Sequence, residues 1–305
     1  MAYKPRFVPM DLLALRILDI RMKLSQEEHR YYLNKEKGFE GEVQFDLLTE
    51  QLQSDCLILN DLLLEVDNSS FQLDTTIIYQ DTIFPFEVKN FEGDFIYKPD
   101  SLEATYGKEY KNPLDQLKRS KFSLGQLLKK LGYHFAIEGS VVFINSEFTL
   151  FQAPPNEPFI FPTQLNALMK KLNARPSKLT NKHKMLADKL VSLHQTKSSY
   201  TKLPAYNYGK LRKGFTCAKC KSFNVSNPDG ERKIVCTTCG NVESIEAVVL
   251  RNVKEIKLLF PDMKITTTCV HEWCGAGVSM KAINRILTKN FRRVGHGKFS
   301  YYVND

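Results

Sequence analysis

The chain has 305 residues, enough for two or more compact units, and at 43% hydrophobic it has the material for their cores. No uninterrupted apolar run reaches the length of a membrane-spanning helix, and no charged start leads into an apolar core and small-residue cleavage site, so a cytoplasmic protein is expected. The net charge of +9 is unevenly spread: residues 1–170 carry 18 Lys and Arg against 25 Asp and Glu, a net of −7, and residues 171–305 carry 25 against 9, a net of +16. An acidic unit gains little affinity for a polyanion by itself, whereas a basic one releases counterions and concentrates a site on nucleic acid.

In chain order, Met10 to Leu33 combines Leu12, Leu13, Leu15, Ile17, Leu18 and Ile20 with many charges, which predicts a helix that packs on the following unit or on a second copy of the chain. Gly38-Phe39-Glu40-Gly41-Glu42 then opens an amphipathic helix with Val43, Phe45, Leu48 and Leu52. The runs Phe71 to Tyr79 and Thr82 to Lys89 read as strands joined at Gln80-Asp81, a hairpin. Strand side chains alternate faces, so Glu87 and Lys89 share a side, Val88 takes the other, and Asp74 on the neighbouring strand can reach the pair. Two carboxylates and a backbone carbonyl hold a hard cation such as Mg²⁺ or Mn²⁺, which lowers the pKa of a bound water and neutralises charge building on phosphate. Lys89 would orient or deprotonate that water. The plain structural alternative is that Asp74 caps a turn and Glu87 pairs with Lys89 on a wet sheet face. Pro85, lacking an N–H, predicts an edge or bulged position for its strand.

The Asp74…Glu87-Val88-Lys89 pattern resembles the PD-(D/E)xK nuclease superfamily. Further blocks are Gly38 to Glu42 upstream, Asn112-Pro113-Leu114-Asp115-Gln116-Leu117-Lys118-Arg119 ahead of a helix, Glu138 to Asn145, and Glu147 to Leu150. In that order they look like the nuclease-related domain (NERD) family over roughly residues 36–170. The resemblance implies a restriction-endonuclease-like mixed sheet flanked by helices, with Glu42 as an additional acidic residue and Gln116 as a polar residue entering the site from a later helix. Where RecB-like relatives carry a tyrosine four residues beyond that glutamine, this chain has Ser120.

From Asn173 to Gly214 the chain is lysine-rich; His183 to His194 has Met185, Leu186, Leu190 and Leu193 at helical spacing, and Ser198 to Gly209 reads as a joint. Two CxxC knuckles follow, Cys217-Ala218-Lys219-Cys220 and Cys236-Thr237-Thr238-Cys239, and four thiolates from two tight turns complete a closed tetrahedral zinc shell with no open position for catalysis. The spacing resembles a zinc ribbon, in which Zn²⁺ is structural because so small a unit buries too little surface to fold without a staple. Cys269 and Cys274 lie near His271 and raise a second metal site; the reading preferred for them is ordinary buried thiols. Asn252 to Phe260 and Thr266 to Trp273 read as helices, Cys274 to Val278 as a glycine-containing turn, and Ser279 as the N-cap of a helix Met280 to Asn290. That pattern is a helix-turn-helix, and Phe291 to Val303, turning at Gly295 to Gly297, resembles the wing of a winged helix. Lys281, Asn284, Arg285 and Lys289, with Arg292, Arg293 and Lys298, are then the candidate contacts to phosphates and base edges.

The expected architecture is therefore an α/β chain of five parts: an N-terminal helix (1–35), a nuclease-like domain (36–172), a basic helical linker (173–210), a zinc ribbon (211–248) and a winged helix-turn-helix (249–305). The expected function is Mg²⁺-dependent hydrolysis of DNA phosphodiester bonds, with a homodimer as one assembly and no membrane partner. The alternative is a non-catalytic DNA-binding regulator that has kept an inactive nuclease-like fold.

Overall fold

The computed structural model describes residues 1–195, 202–227, 232–275 and 277–304. The first part of the joint expected at Ser198 to Gly209, residue Ala276 of the glycine turn and the side chain of Lys298 lie outside the described residues. After an extended strap come α1 (Met10–Arg21), α2 (Gln26–Thr49), β1 (Leu57–Val66), β2 (Ser69–Ile78), β3 (Thr82–Lys89), β4 (Gly93–Tyr97), β5 (Ser101–Ala104), β6 (Glu109–Lys111) and α3 (Pro113–Lys130). There follow β7 (Ala136–Ile137), β8 (Ser140–Phe143), β9 (Phe148–Phe151), β10 (Phe159–Ile160), α4 (Leu165–Asn173) and α5 (Asn181–Ser192). The last elements are β11 (Val225–Ser226), β12 (Lys233–Cys236), β13 (Val242–Ser244), α6 (Ile245–Leu259), α7 (Thr267–Cys274), α8 (Met280–Asn290), β14 (Arg292–Val294) and β15 (Tyr301–Val303). The chain divides into two units, Met1–Val8 with Leu33–Tyr200, and Pro9–Tyr32 with Thr201–Asp305.

The first unit is built on a mixed sheet in the order β1-β2-β3-β8-β10, with β7 also on β3; β1, β2 and β3 are antiparallel and β3, β8 and β10 parallel. Asp67 and Asn68, both at positive φ, make the two-residue turn between β1 and β2, the conformation whose twist matches a hairpin. Phe45 of α2 and Leu172 of α4 cover one face of the sheet beside Ile77, Phe84, Phe86 and Val88. Leu124, Leu127 and Leu128 of α3 and Leu186 and Leu190 of α5 cover the other, beside Leu59, Leu62 and Leu73. Asn112 caps α3 by accepting from the Leu114 N–H at 3.0 Å, and Pro113 fills its first turn, where a missing N–H costs nothing. A second sheet, β6-β5-β4-β9, closes over an aromatic cluster in which Phe143 and Phe148 stack at 4.1 Å.

β3 is interior, so Pro85 does not mark an edge. It falls opposite Glu138 and Gly139, in the gap between the β7 pairing (Ile83↔Ile137) and the β8 pairing (Phe86↔Ser140), where the ladder asks no donor of it. Gly139 is required there: a Cβ would stand 3.0 Å from the Pro85 carbonyl and 2.9 Å from Leu117 and Lys121.

In the second unit β11-β12-β13 form a small sheet, α6, α7 and α8 pack around the fully buried Trp273, and β14-β15 form a hairpin. Ser244, Thr266 and Ser279 cap the three helices through their hydroxyls. The amphipathic N-terminal helix belongs to this unit rather than to the nuclease-like one: Ala14 and Leu18 of α1 join its core. Arg21, 2% exposed, lies 4.4 Å over the Trp273 ring and bonds Glu255 (2.6 Å), Asn252 (3.0 Å) and the Arg212 carbonyl (2.8 Å). Nothing in the local pattern of α1 encodes that long-range choice. Among the described residues no helix is long and apolar enough to cross a membrane.

Candidate active site and cysteine cluster

The register of β1 on β2 pairs every residue from Leu57↔Ile78 to Val66↔Ser69 except Asp61 and Asp74, which stand opposite one another. Asp61 has φ +55, costly for a residue with a Cβ inside a strand, and the alternation slips there. Leu59 and Leu62, three apart, face the same core cluster, and so do Ile78 and Leu73. The ladder is thus interrupted where Asp74 sits.

Asp74 is 5% exposed, and its Oδ2 accepts from the Val88 N–H at 2.8 Å. The Lys89 carbonyl bonds the Ile144 N–H of the β8 side, so alternation turns the N–H and carbonyl of Val88 towards β2 and Asp74. Glu87, 2% exposed, accepts from Lys89 Nζ at 2.6 Å, and Lys89 Nζ also donates to Gln116 Oε1 at 3.2 Å from the first turn of α3. Glu42 on α2 is ion-paired with Arg6 of the strap. Gly41 lets α2 come this close, because a Cβ there would stand 2.5 Å from that of Asn90, the residue after Lys89. A polar cavity of about 520 Å³ opens beside Asn90, lined by Lys37, Glu40, Gln44 and Asn145 among others. The structure therefore brings Glu42, Asp74, Glu87, Lys89 and Gln116 into one neighbourhood of the first unit. Ser120, in the place of the RecB-type tyrosine, is buried and bonds the Leu117 carbonyl of its own helix.

Burial, and then the charge of Asp74, push the carboxyls of Glu42 and Glu87 up to about 8, and burial pushes Asp74 up as well. Burial works against the charge on Lys89, but Glu87 and Asp74 outweigh it and hold its pKa above the ordinary value. Asp74 and Glu87 are buried carboxyl oxygen donors, the ligand type that a hard divalent cation takes. These shifts carry a sign for stability. A carboxyl at 4.5 in the unfolded chain and about 8 in the folded one stabilises fully below about pH 4.5, and that contribution is lost as pH rises through 8. The melting temperature of metal-free protein is expected to fall between pH 5 and pH 8.5, with Mg²⁺ restoring it at the alkaline end; a flat profile by scanning fluorimetry would contradict the protonated acids.

Four residues here escaped the sequence reading: Arg6, Asp46, Asp61 and Lys4. Arg6 Nε and Nη2 bond Asp46 at 2.8 and 3.1 Å. No motif or periodicity flags any of them, since each acts through a contact with a strand or helix remote in sequence.

In the second unit the four cysteines converge. Cys217 and Cys239 Sγ are 3.6 Å apart, Cys220 and Cys236 Sγ 3.5 Å, and all four lie within 4.8 Å of one another. A tetrahedral zinc with bonds of about 2.3 Å requires sulfur–sulfur separations near 3.8 Å, so the cluster fits that ion. The residue after each knuckle is left-handed, Lys221 at φ +61 and Gly240 at φ +70. Among the described residues no other group of three or more Cys, His, Asp or Glu brings its ligand atoms this close together. Cys269 touches Met263 and Tyr208, and Cys274 is buried. Of the basic candidates, Lys281, Arg285, Arg292 and Arg293 are exposed. Lys289 pairs with Glu246 at 2.9 Å, Arg293 bonds Ser300, and Asn284 accepts from Tyr302 at 2.8 Å.

The first unit is thus a mixed α/β domain that buries an acid–lysine cluster across the middle strands of its sheet, and the second carries a four-cysteine cluster. Residues 37–144 match the family model described as the nuclease-related domain, NERD. All five candidate residues fall inside the matched segment. No curated protein and no solved structure matches the chain.

Proposed function

We propose that the first unit is a divalent-metal-dependent nuclease acting on DNA, and that the second unit, a zinc ribbon followed by a winged helix-turn-helix, delivers it to DNA. One observation carries the reading: within a segment matched to a nuclease-related family, Glu87, Lys89 and Gln116 form one hydrogen-bonded set, with Asp74 bonded to the intervening Val88. A mixed sheet flanked by helices on both faces, with the acids on β2 and β3, supports a PD-(D/E)xK arrangement.

Asp74, Glu87 and the Val88 carbonyl would hold Mg²⁺ or Mn²⁺, which when bound lowers the pKa of water and offsets charge on the scissile phosphate. Lys89 would orient or deprotonate that water and contact the phosphate, held in place by Glu87 and Gln116. Gln116 fixes the lysine from α3, and Glu42 supplies a further acidic group beside Asp74. The test is cleavage of a panel of linear duplex, circular duplex, single-stranded DNA and RNA with Mg²⁺ and with EDTA. Mg²⁺-dependent cleavage of a DNA substrate is expected, and no cleavage of any member would contradict the reading.

For the second unit, the order α7, turn, α8 and hairpin supports the winged helix, and 22 Lys and Arg against 12 Asp and Glu over residues 9–32 and 201–305, a net of +10, support a polyanion partner. Cys217, Cys220, Cys236 and Cys239 would hold Zn²⁺ as a structural staple. Arg285→Ala is expected to weaken DNA binding uniformly across sequences and to lower the slope of log affinity against log salt by about 1. An unchanged slope would remove Arg285 from the interface.

A further inference from the structure

The strap Met1–Val8 lies along β1, exchanging main-chain bonds from Lys4 to Ile58 (3.1 Å) and from Asn60 to Lys4 (2.9 Å). Its two cationic side chains, two residues apart, serve the interruption in the ladder. Lys4 Nζ donates to the carbonyls of Asn60 and Asp61, each at 2.7 Å, and Arg6 Nη2 donates to the carbonyl of Asp74 at 2.7 Å. The two residues that the strand register leaves unpaired therefore have their carbonyls satisfied by the strap. Arg6 does more. Its Nη1 donates to Glu42, its Nε and Nη2 hold Asp46, and its side chain is 3% exposed. Asp74 is held at both ends, its main chain by Arg6 and its Oδ2 by the Val88 N–H.

We propose that Arg6 is a positioning residue of the cleavage site, fixing the main chain of Asp74 and the carboxylate of Glu42 so that Asp74 stands ready for the divalent cation. This rests on the nuclease reading of the site. A planar fork that reaches three partners at once explains why the position holds arginine: an ammonium at the end of a lysine is a single point and cannot bridge Glu42, Asp46 and the Asp74 carbonyl together. An arginine that merely tied down the strap would not need to face the interrupted rung of the β1–β2 ladder.

The experiment measures Mn²⁺ affinity by electron paramagnetic resonance, steady-state cleavage and thermal melting for the full-length wild type, Arg6→Lys and Asp46→Asn. Arg6→Lys is expected to bind Mn²⁺ about 10- to 100-fold more weakly and to lose a similar factor in kcat, with KM for DNA within about twofold. Asp46→Asn keeps the arginine but loosens its anchor, and is expected to move both quantities in the same direction by a smaller factor. It keeps the test decisive should Arg6→Lys fail to fold. Folded variants with wild-type Mn²⁺ affinity and kcat would overturn the role of Arg6 while leaving the nuclease reading intact. A wild type that neither binds Mn²⁺ nor cleaves would overturn both.

Discussion

Asp74→Ala and Lys89→Ala are each expected to lower Mg²⁺-dependent DNA cleavage by about 10²- to 10³-fold or more, with DNA affinity unchanged. The size follows from position. Asp74 and Glu87 are both buried, and Asp74→Ala removes one of the two carboxylates proposed to hold the cation. Lys89 is the cation that Glu87 and Gln116 hold in place, and among the described residues no other lysine bonds that pair. DNA affinity should not move, because the positive charge that attracts a polyanion lies beyond residue 171. Parallel loss of affinity and cleavage would mean that these side chains bind rather than react. Cleavage unaffected by either substitution would remove the site altogether.

Cys236→Ser is expected to abolish stoichiometric zinc and, with it, the folded state of the β11-β12-β13 region. A closed four-thiolate site contributes on the order of 10 kcal/mol to the folding of a small module, far more than three short strands bury on their own account. The sulfur separations fit a tetrahedral zinc. The readouts are zinc by elemental analysis and DNA affinity of the full chain, which should fall together. Wild-type protein that purifies without zinc and melts as the variant does would contradict the staple.

How much of this could be read from the sequence differs by kind of signal. The β2–β3 hairpin, with the second strand ending at Lys89, and the helix starting behind Ser279 were legible because alternation and capping are local. The cysteine knuckles were legible because their spacing is their geometry. Pro85 misled in part, since its missing donor suggested an edge, whereas the chain places it at an interruption inside the sheet. β1 carries Leu-rich blocks on both sides of Asp61, and its alternation slips there, so the period that identifies a strand is broken at the residue that matters for the site. Arg6 and the packing of α1 were invisible for a further reason: the partners of both lie far along the chain, and nothing in residues 1–35 encodes which unit they join.

The most direct measurement of the central claim is the location of Mn²⁺ by anomalous scattering in crystals of the wild-type protein. A cation within about 2.5 Å of carboxylate oxygens from both Asp74 and Glu87, absent in Asp74→Ala, is the expected result. Mn²⁺ bound elsewhere, or nowhere, with both acids turned into the protein would contradict it.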